Sequence, residues 1–268
     1  MSRSSGDPSQ ESGPVGSWLR RAATCPERAG IFVDFDGTLA PIVSDPAAAL
    51  PRPEAAALLT RLSERWGRVV VVSGRPVVFL LSHLAGAGRT ELYGLYGLER
   101  SSSLSGEIAT LPEAEDWRRA VSDVASAAER DAPEGVYVEH KGLTVTIHCR
   151  NAPDQAAWAR AAAGDARIRT GLAVHRGKMS LELRPPVEVD KGTVVRDLAA
   201  GLDAVLFVGD DMGDLPAFAE MRSLRSEGVA TLSVASGGDE TPAEVVEAAD
   251  LVVDGPGGVV GLLAQLLL

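Results

Sequence analysis

The segment Ile31–Ile42, with sequence IFVDFDGTLAPI, places two carboxylates directly after an apolar stretch. Ile31–Val33 is typical of a buried strand, and Asp34 and Asp36 lie two positions apart, so both side chains can face one site. Such carboxylates repel each other unless a cation lies between them or one keeps its proton. The alternative is a strand end in which Asp and Gly only form a turn.

Two further apolar strands end in reactive groups. Arg68–Val72 leads into Ser73-Gly74-Arg75-Pro76, and Ala204–Val208 leads into Gly209-Asp210-Asp211. Because ligands bind outside the carboxyl ends of the strands in an open parallel sheet, we expect these ends to converge with Asp34 on one crevice. By itself, the stretch after Val72 is also consistent with an ordinary strand-to-helix turn.

The candidate metal ligands are all carboxylates, which supply hard oxygen donors. No paired cysteines lie nearby and His is scarce, so we expect Mg²⁺ rather than Zn²⁺. The predicted ligands are Asp34, Asp36, Asp210, Asp211 and Asp214.

Other groups could bind a phosphate. Ser73 and the backbone N–H groups of Gly74 and Arg75 can donate to phosphate oxygens. Lys191 begins a predicted helix in DKGTVVRDL, where its ammonium and the helix N-terminus both favour an anion. The alternative for Lys191 is a solvated surface lysine.

These groups together predict phosphoryl transfer through an aspartyl-phosphate. Asp34 is the expected nucleophile. Asp36 is expected to protonate the leaving oxygen and then to activate water, with its pKa raised by neighbouring carboxylates. Mg²⁺, Lys191 and Ser73 would neutralise the charge on the transferring oxygens.

The order of strands and helices predicts an α/β core with a parallel sheet flanked by helices, formed by residues 17–100 and 185–268. Residues 101–184 change pattern after the Ser-rich stretch Ser101–Gly106 and are expected to form a smaller inserted α/β domain. Residues 1–16, rich in Ser, Gly and Pro, are expected to be a disordered tail.

Period-two alternation in the insert predicts a sheet with one packed apolar face and one charged face. Charged and polar side chains of this second face could bind sugar hydroxyls, although an ordinary solvated face has the same pattern. The substrate-binding candidates there are Glu139, Lys141, Arg150, Lys178 and Glu182.

The composition of the chain argues against some classes of binding partner. The chain has 268 residues and a formal net charge of −11, which argues against nucleic acid or an anionic membrane as partner. Cys25 and Cys149 form neither a metal motif nor a disulfide framework, so a reducing, cytoplasmic setting is expected. No signal peptide or membrane span is apparent.

The chain resembles the haloacid dehalogenase (HAD) superfamily of Mg²⁺-dependent phosphatases. The residues that carry the resemblance are DFDGT at Asp34–Thr38, SGR at Ser73–Arg75, DKG around Lys191 and GDDMGD at Gly209–Asp214. The resemblance implies a Rossmann-like core with an inserted cap domain that closes over it.

More narrowly, the chain is similar to trehalose-6-phosphate phosphatases. Gly97-Leu98-Glu99, the stretch Val138–Leu143 and the stretch Glu182–Pro185 match motifs of that family. Tyr96, where many members have His, and Gly213 depart from its pattern. The resemblance implies a small-molecule sugar phosphate as substrate and a functional pairing with a trehalose-6-phosphate synthase.

Two alternatives stay open. The substrate could be a related disaccharide, pseudo-disaccharide or glycosyl-glycerate phosphate. The chain could also be a non-catalytic sugar-phosphate sensor or regulator, although inactive relatives usually lose a motif acid and Asp34, Asp36, Asp210 and Lys191 are all present.

Overall fold

A computed structural model describes residues 13–43, 45–177, 179–239 and 241–268. It divides into two compact units. The first consists of the described residues up to Ile108 together with Val189–Leu268, and the second is Ala109–Glu188. The second unit is therefore an insertion into the first, although both boundaries lie further along the chain than the predicted 101 and 184.

The elements of both units alternate along the chain. Helices α1–α10 span Pro14–Thr24, Ala55–Arg65, Val77–His83, Pro112–Glu115, Arg118–Asp131, Ala156–Thr170, Lys191–Leu198, Leu215–Ser226, Ala243–Ala248 and Gly255–Gln265. Strands β1–β12 span Ala29–Val33, Arg68–Val72, Glu91–Gly94, Glu99–Ser102, Ala109–Thr110, Tyr137–His140, Val145–His148, Ala173–Gly177, Ser180–Arg184, Ala204–Gly209, Ala230–Gly237 and Leu251–Asp254.

The sheet of the first unit has β1 near its centre. Within this unit the strand order is β12-β11-β10-β1-β2-β3-β4, and neighbouring strands are parallel except for β3 and β4. Val33 is in register with Val208 of β10 on one side and with Val71 of β2 on the other. The three strand ends predicted to carry chemistry therefore lie side by side at one edge of the sheet.

Helices cover both faces of this sheet, which confirms the predicted α/β class. Ile31 and Val33 pack into a core with α1, α2 and α10, whereas Phe32 packs on the opposite face with α7, α8 and α9. Every residue of β1 and β10 is buried. A central parallel strand that is covered on both faces must be apolar throughout, as these two are.

Two local features differ from the prediction. Helix α1 already begins at Pro14, inside the predicted tail, with a proline in its first turn where the missing N–H costs nothing. Glu99–Ser102 forms strand β4, although Ser101 was expected to begin a linker. The Glu99 carboxylate accepts a hydrogen bond from Val77 N at 2.8 Å, which ties β4 to the start of α3.

The second unit is an antiparallel sheet of order β6-β7-β9-β8 with helices α5 and α6 on one face. Val138, Ile147 and Leu181 are in register and face the helices. The next row across the sheet, on the opposite face, consists of Glu139, Thr146, Glu182 and His175. The predicted apolar and polar faces of the insert are therefore present.

Along the described ranges, no helix combines the length and the apolarity that crossing a bilayer requires.

The N-terminus of α7, which positions Lys191, is held by a reciprocal cap. Asp190 accepts a hydrogen bond from Thr193 N at 2.8 Å, and Thr193 Oγ1 accepts one from Asp190 N at 2.9 Å. We expect Asp190→Ala to lower the free energy of unfolding by about 1 kcal/mol, measured by urea denaturation. Asp190→Ser should retain most of the stability, and an equal loss in both variants would contradict a capping role.

Candidate active site

Lys191 lies between two buried carboxylates. Its Nζ is 2.8 Å from Asp34 Oδ1 and 2.6 Å from Asp214 Oδ1. The lysine is only 2% exposed, so it is not a solvated surface residue. Asp34 is fixed from the other direction, because its backbone N–H donates to Val208 O at 2.9 Å. The first residue after β1, the first residue of α7 and the loop after β10 therefore meet at one point.

Burial and neighbouring charges have opposite effects on the pKa values of Lys191 and Asp34. Burial disfavours the charged Lys191, but the carboxylates of Asp214 and Asp34 outweigh it and raise the pKa of Lys191 well above its usual value. Burial raises the pKa of Asp34 well above its usual value, and the Lys191 charge offsets only part of this effect. Lys191 is therefore a permanent cation at this site.

Asp214 organises the loop that follows β10. Its Oδ2 accepts hydrogen bonds from Asp210 N at 2.9 Å and Asp211 N at 3.1 Å, while Oδ1 accepts from Lys191. The loop has no room for a side chain at Gly209, where a Cβ would lie 2.3 Å from Asp214 Cγ. Asp214 thus holds the backbone that presents the Asp210 side chain.

Three carboxylates form a group that a cation could occupy. Asp34, Asp210 and Asp214 each present an oxygen, and these atoms lie within 4.8 Å of one another. Asp210 Oδ1 is buried and accepts no hydrogen bond from any described residue. Gly37, with φ +71°, leaves the space beside Asp210 that a Cβ would fill at 2.1 Å from Oδ2. These observations fit a hard divalent cation with oxygen ligands.

Charge supports the same conclusion. Three carboxyl groups face one ammonium, so ionisation of all three would leave an excess of negative charge that a divalent cation would offset. Asp36 and Asp211, the other two predicted ligands, do not belong to this three-residue group. Asp211 instead accepts a hydrogen bond from Gly213 N at 2.8 Å and caps the short helical turn that contains Asp214.

Without a cation, Asp210 holds its proton at neutral pH. Burial, with repulsion from Asp34 and other acids, raises the pKa of Asp210 to about 10. Burial and the neighbouring Asp214 raise the pKa of Asp211 to about 6. A cation in the group would displace the Asp210 proton, since proton and metal compete for the same oxygens.

Asp36 is paired with Arg75 rather than grouped with the other acids. Arg75 Nε donates to Asp36 Oδ2 at 2.7 Å and Nη2 donates to Oδ1 at 2.8 Å. The sequence analysis missed this pairing and assigned Arg75 to the substrate. The available signal was the opposite charge of two residues that follow the adjacent parallel strands β1 and β2.

Ser73 and Tyr96 lie beside the Arg75–Asp36 pair. Ser73 is buried, and its Oγ accepts from Arg75 N at 3.1 Å. Tyr96 adopts φ +62°, and a Cβ at Gly74 would lie 2.7 Å from the tyrosine Oη. Lys191 Nζ lies 5.9 Å from the centroid of the Tyr96 ring, within cation–π range. Sequence reasoning identified Tyr96 only as a departure from a family pattern.

In the second unit, the polar face of the sheet carries an ion-pair network. Lys141 Nζ lies 3.3 Å from Glu182 Oε1 and 3.6 Å from Glu139 Oε2. Glu182 also accepts from Thr144 Oγ1 at 3.0 Å and from Arg184 Nη2 at 2.6 Å. Burial would raise the pKa of Glu182, but Lys141 and Arg184 outweigh it and lower the pKa to about 2.

The structure thus brings together three of the five residues predicted to bind substrate from the insert, and it adds Thr144 and Arg184 to them. Arg150 lies in the turn that follows β7. Lys178 lies outside the described residues.

The fold is that of haloacid dehalogenase-like hydrolases. A protein described by that name from Bacteroides thetaiotaomicron superposes with a TM-score of 0.61 at 19% identity, over 89% of this chain and 99% of that chain. The C-terminal domain of a C. albicans trehalose-6-phosphate phosphatase superposes with a TM-score of 0.76 at 24% identity, over 95% of this chain and 96% of that chain.

The chain belongs to the trehalose-phosphatase family, whose sequence profile matches residues 32–248. A trehalose-phosphate phosphatase of Mycobacterium avium is 36% identical over 220 residues, which are 75% of this chain and 54% of the relative. The Mycobacterium tuberculosis H37Rv protein of the same name is 35% identical over 70% of this chain and 50% of its own length. The chain therefore spans about half the length of these curated relatives.

The raised pKa of Asp210 predicts how the stability of the metal-free protein depends on pH. The folded state holds a proton that the unfolded state releases near pH 4, so Asp210 lowers the free energy of unfolding progressively as the pH rises toward about 10. We expect Asp210→Asn to melt at a higher temperature than the wild type at pH 8 in EDTA.

The difference between the two proteins should vanish near pH 4, where Asp210 is protonated in both states. Added Mg²⁺ should raise the melting temperature of the wild type but not that of Asp210→Asn. A variant that melts below the wild type in EDTA at pH 8 would contradict the assignment.

Proposed function

We propose that this protein is a Mg²⁺-dependent phosphatase that hydrolyses trehalose 6-phosphate to trehalose and phosphate. The observation that carries the proposal is the buried Lys191 ammonium between Asp34 and Asp214, beside the unpaired oxygen of Asp210. Family membership and the names of the relatives support the substrate. The resemblance also supports a supply of that substrate by a synthase, and the free cysteines Cys25 and Cys149 support a reducing, cytoplasmic setting.

Asp34 is the proposed nucleophile. Lys191 donates to Oδ1, so we assign Oδ2 to the attack on phosphorus. A bond forms between this oxygen and phosphorus while the bond from phosphorus to the sugar oxygen breaks, which leaves an aspartyl-phosphate. Lys191 offsets the negative charge on the transferring oxygens, and the Ser73 hydroxyl and the Gly74 amide donate hydrogen bonds to them. The Arg75 amide, predicted to do the same, already donates to Ser73 Oγ.

Asp36 is the proposed acid and base. It gives a proton to the departing sugar oxygen and then removes one from the water that attacks the aspartyl-phosphate. Asp34, Asp210 and Asp214 would hold the Mg²⁺ ion, which supplies positive charge to the phosphoryl group when bound.

The inserted unit is proposed to recognise the sugar as a cap. Glu139, Lys141 and Glu182 combine donors and acceptors on one sheet face, as sugar hydroxyls require. Arg150 and Lys178 keep their predicted role as further sugar contacts. A related disaccharide phosphate would use the same groups.

A non-catalytic sensor of sugar phosphates is the less favoured alternative. Such a protein has no need to bury three neighbouring carboxyl groups, an arrangement that keeps Asp210 protonated and lowers the stability of the metal-free protein as the pH rises.

Replacing the nucleophile should abolish the reaction. We expect Asp34→Asn to lower kcat for trehalose 6-phosphate by at least about 10³-fold, because an amide oxygen does not attack phosphorus. Phosphate release with Mg²⁺, and with EDTA in its place, measures the effect. Asp197→Asn, at an exposed position of α7, is the control. Undiminished turnover by Asp34→Asn would refute the proposed nucleophile.

The cap network should select disaccharide phosphates. We expect Lys141→Met to raise KM for trehalose 6-phosphate about 10-fold or more, because it removes one polar group that pairs with the sugar. Glucose 6-phosphate, assayed in parallel, should be a poor substrate for both proteins. Arg119→Met, on the exposed face of α5, is the matched control. Equal turnover of both substrates by the wild type would rule out a disaccharide-reading cap.

A further inference from the structure

We propose that Arg75 is a positioning residue for Asp36, the proposed acid and base, and does not bind the sugar phosphate itself. The proposal rests on the proposed function, because it concerns how that reaction protonates its leaving group. It assigns Arg75 a role that the SGR pattern alone does not give.

The geometry of the pair carries the proposal. Both oxygens of Asp36 accept from one guanidinium, at 2.7 Å and 2.8 Å, in the two-point fork that fixes a carboxylate in orientation as well as position. The Arg75 side chain is 10% exposed and the Asp36 side chain is 37% exposed. The arginine is therefore the fixed member of the pair, and the acid faces the solvent from which substrate arrives.

Aromatic packing holds the guanidinium in place. It lies over the ring of Phe79, with Cζ 4.6 Å from the ring centroid, and His83 stacks on that ring at 4.1 Å. Phe35, which precedes Asp36 in the chain, packs edge-on against Phe79 with centroids 5.6 Å apart. Arg75 contacts both Asp36 and Phe79, and Phe79 packs on Phe35, which is the neighbour of Asp36 in the chain. The arginine therefore cannot move away without breaking this packing.

The backbone of Arg75 is equally constrained. Its N–H donates to Ser73 Oγ at 3.1 Å, and its carbonyl accepts from Leu95 N at 2.9 Å. Glu99 then holds the next turn through Val77 N. Because both the backbone and the guanidinium of Arg75 are held in place, the side chain can orient the Asp36 carboxylate.

The pairing has a consequence for the reaction. To act as the acid, Asp36 must first take a proton from solvent on one oxygen, which then leaves Arg75, while the other oxygen stays on the guanidinium. Arg75 would then keep the acid beside the leaving oxygen during both steps. Loss of Arg75 should slow only the steps that need Asp36.

A change of leaving group tests this directly. We expect Arg75→Ala to lower kcat for trehalose 6-phosphate about 10- to 100-fold, a part of the 10²–10⁴ that acid–base catalysis supplies. For p-nitrophenyl phosphate the rate constant of the single-turnover nitrophenolate burst should fall less than about 3-fold, because that group departs without a proton. Equal losses on both substrates, or a rise in KM alone, would overturn the proposal and favour direct phosphate binding.

A double-mutant cycle gives the second readout. If Arg75 acts through Asp36, Arg75→Ala combined with Asp36→Asn should lose no more activity than Asp36→Asn alone. Losses that multiply would overturn the proposal. Arg75→Lys, which keeps the charge but not the fork, should fall between the wild type and Arg75→Ala, and it replaces that variant if melting shows that alanine unfolds the chain.

NMR tests the pairing of Arg75 with Asp36 without turnover. The Arg75 Nε–H signal should be protected from exchange in the wild type and should lose that protection in Asp36→Ala, which removes both acceptor oxygens. An unchanged signal would overturn the proposal for any substrate. If the wild type hydrolyses no phosphate monoester with Mg²⁺ but the NMR response is as expected, the proposed function is refuted. The pairing of Arg75 with Asp36 is then still supported.

Discussion

The buried ammonium of Lys191 is the interaction on which the rest of the site depends. It joins Asp34, which follows the central strand, to Asp214, which lies in the loop after the neighbouring strand. Neither carboxylate could be buried alone at tolerable cost, because removal of one partner from a buried ion pair typically costs about 3–5 kcal/mol. The lysine thus permits an acidic site at the centre of an otherwise apolar sheet edge.

Protein contacts hold the acidic groups of the site in place. Asp214 uses one oxygen for the lysine and the other for two backbone amides, so three hydrogen bonds hold the loop that carries Asp210. Glycines at positions 37 and 209 leave the space that these carboxylates need. The buried, protonated Asp210 lowers the stability of the folded protein as the pH rises, and a cation bound there would offset that loss.

Short patterns in the sequence predicted the parts of the site that follow directly from strands. An apolar run that ends in a carboxylate identified Asp34 and Asp210, and the rule for parallel sheets placed them together. The pairing of Arg75 with Asp36 was not predicted, because side-chain contacts across strands leave no periodic pattern. The same holds for Tyr96, which adopts a positive φ and packs against Gly74. Strand β4 was missed because its polar sequence, Glu99–Ser102, is typical of a loop.

The insertion of the second unit into the first also constrains how the protein folds during synthesis. Ala29 of β1 pairs with Ala204 of β10, yet the whole inserted unit is synthesised between them. At about 5–20 residues per second, the buried edge of β1 waits on the order of ten seconds or more for its partner. The insert, a continuous stretch with its own apolar core, can fold during that interval. The first unit therefore presents a transiently unpaired apolar strand, a point at which binding by a chaperone would compete with aggregation.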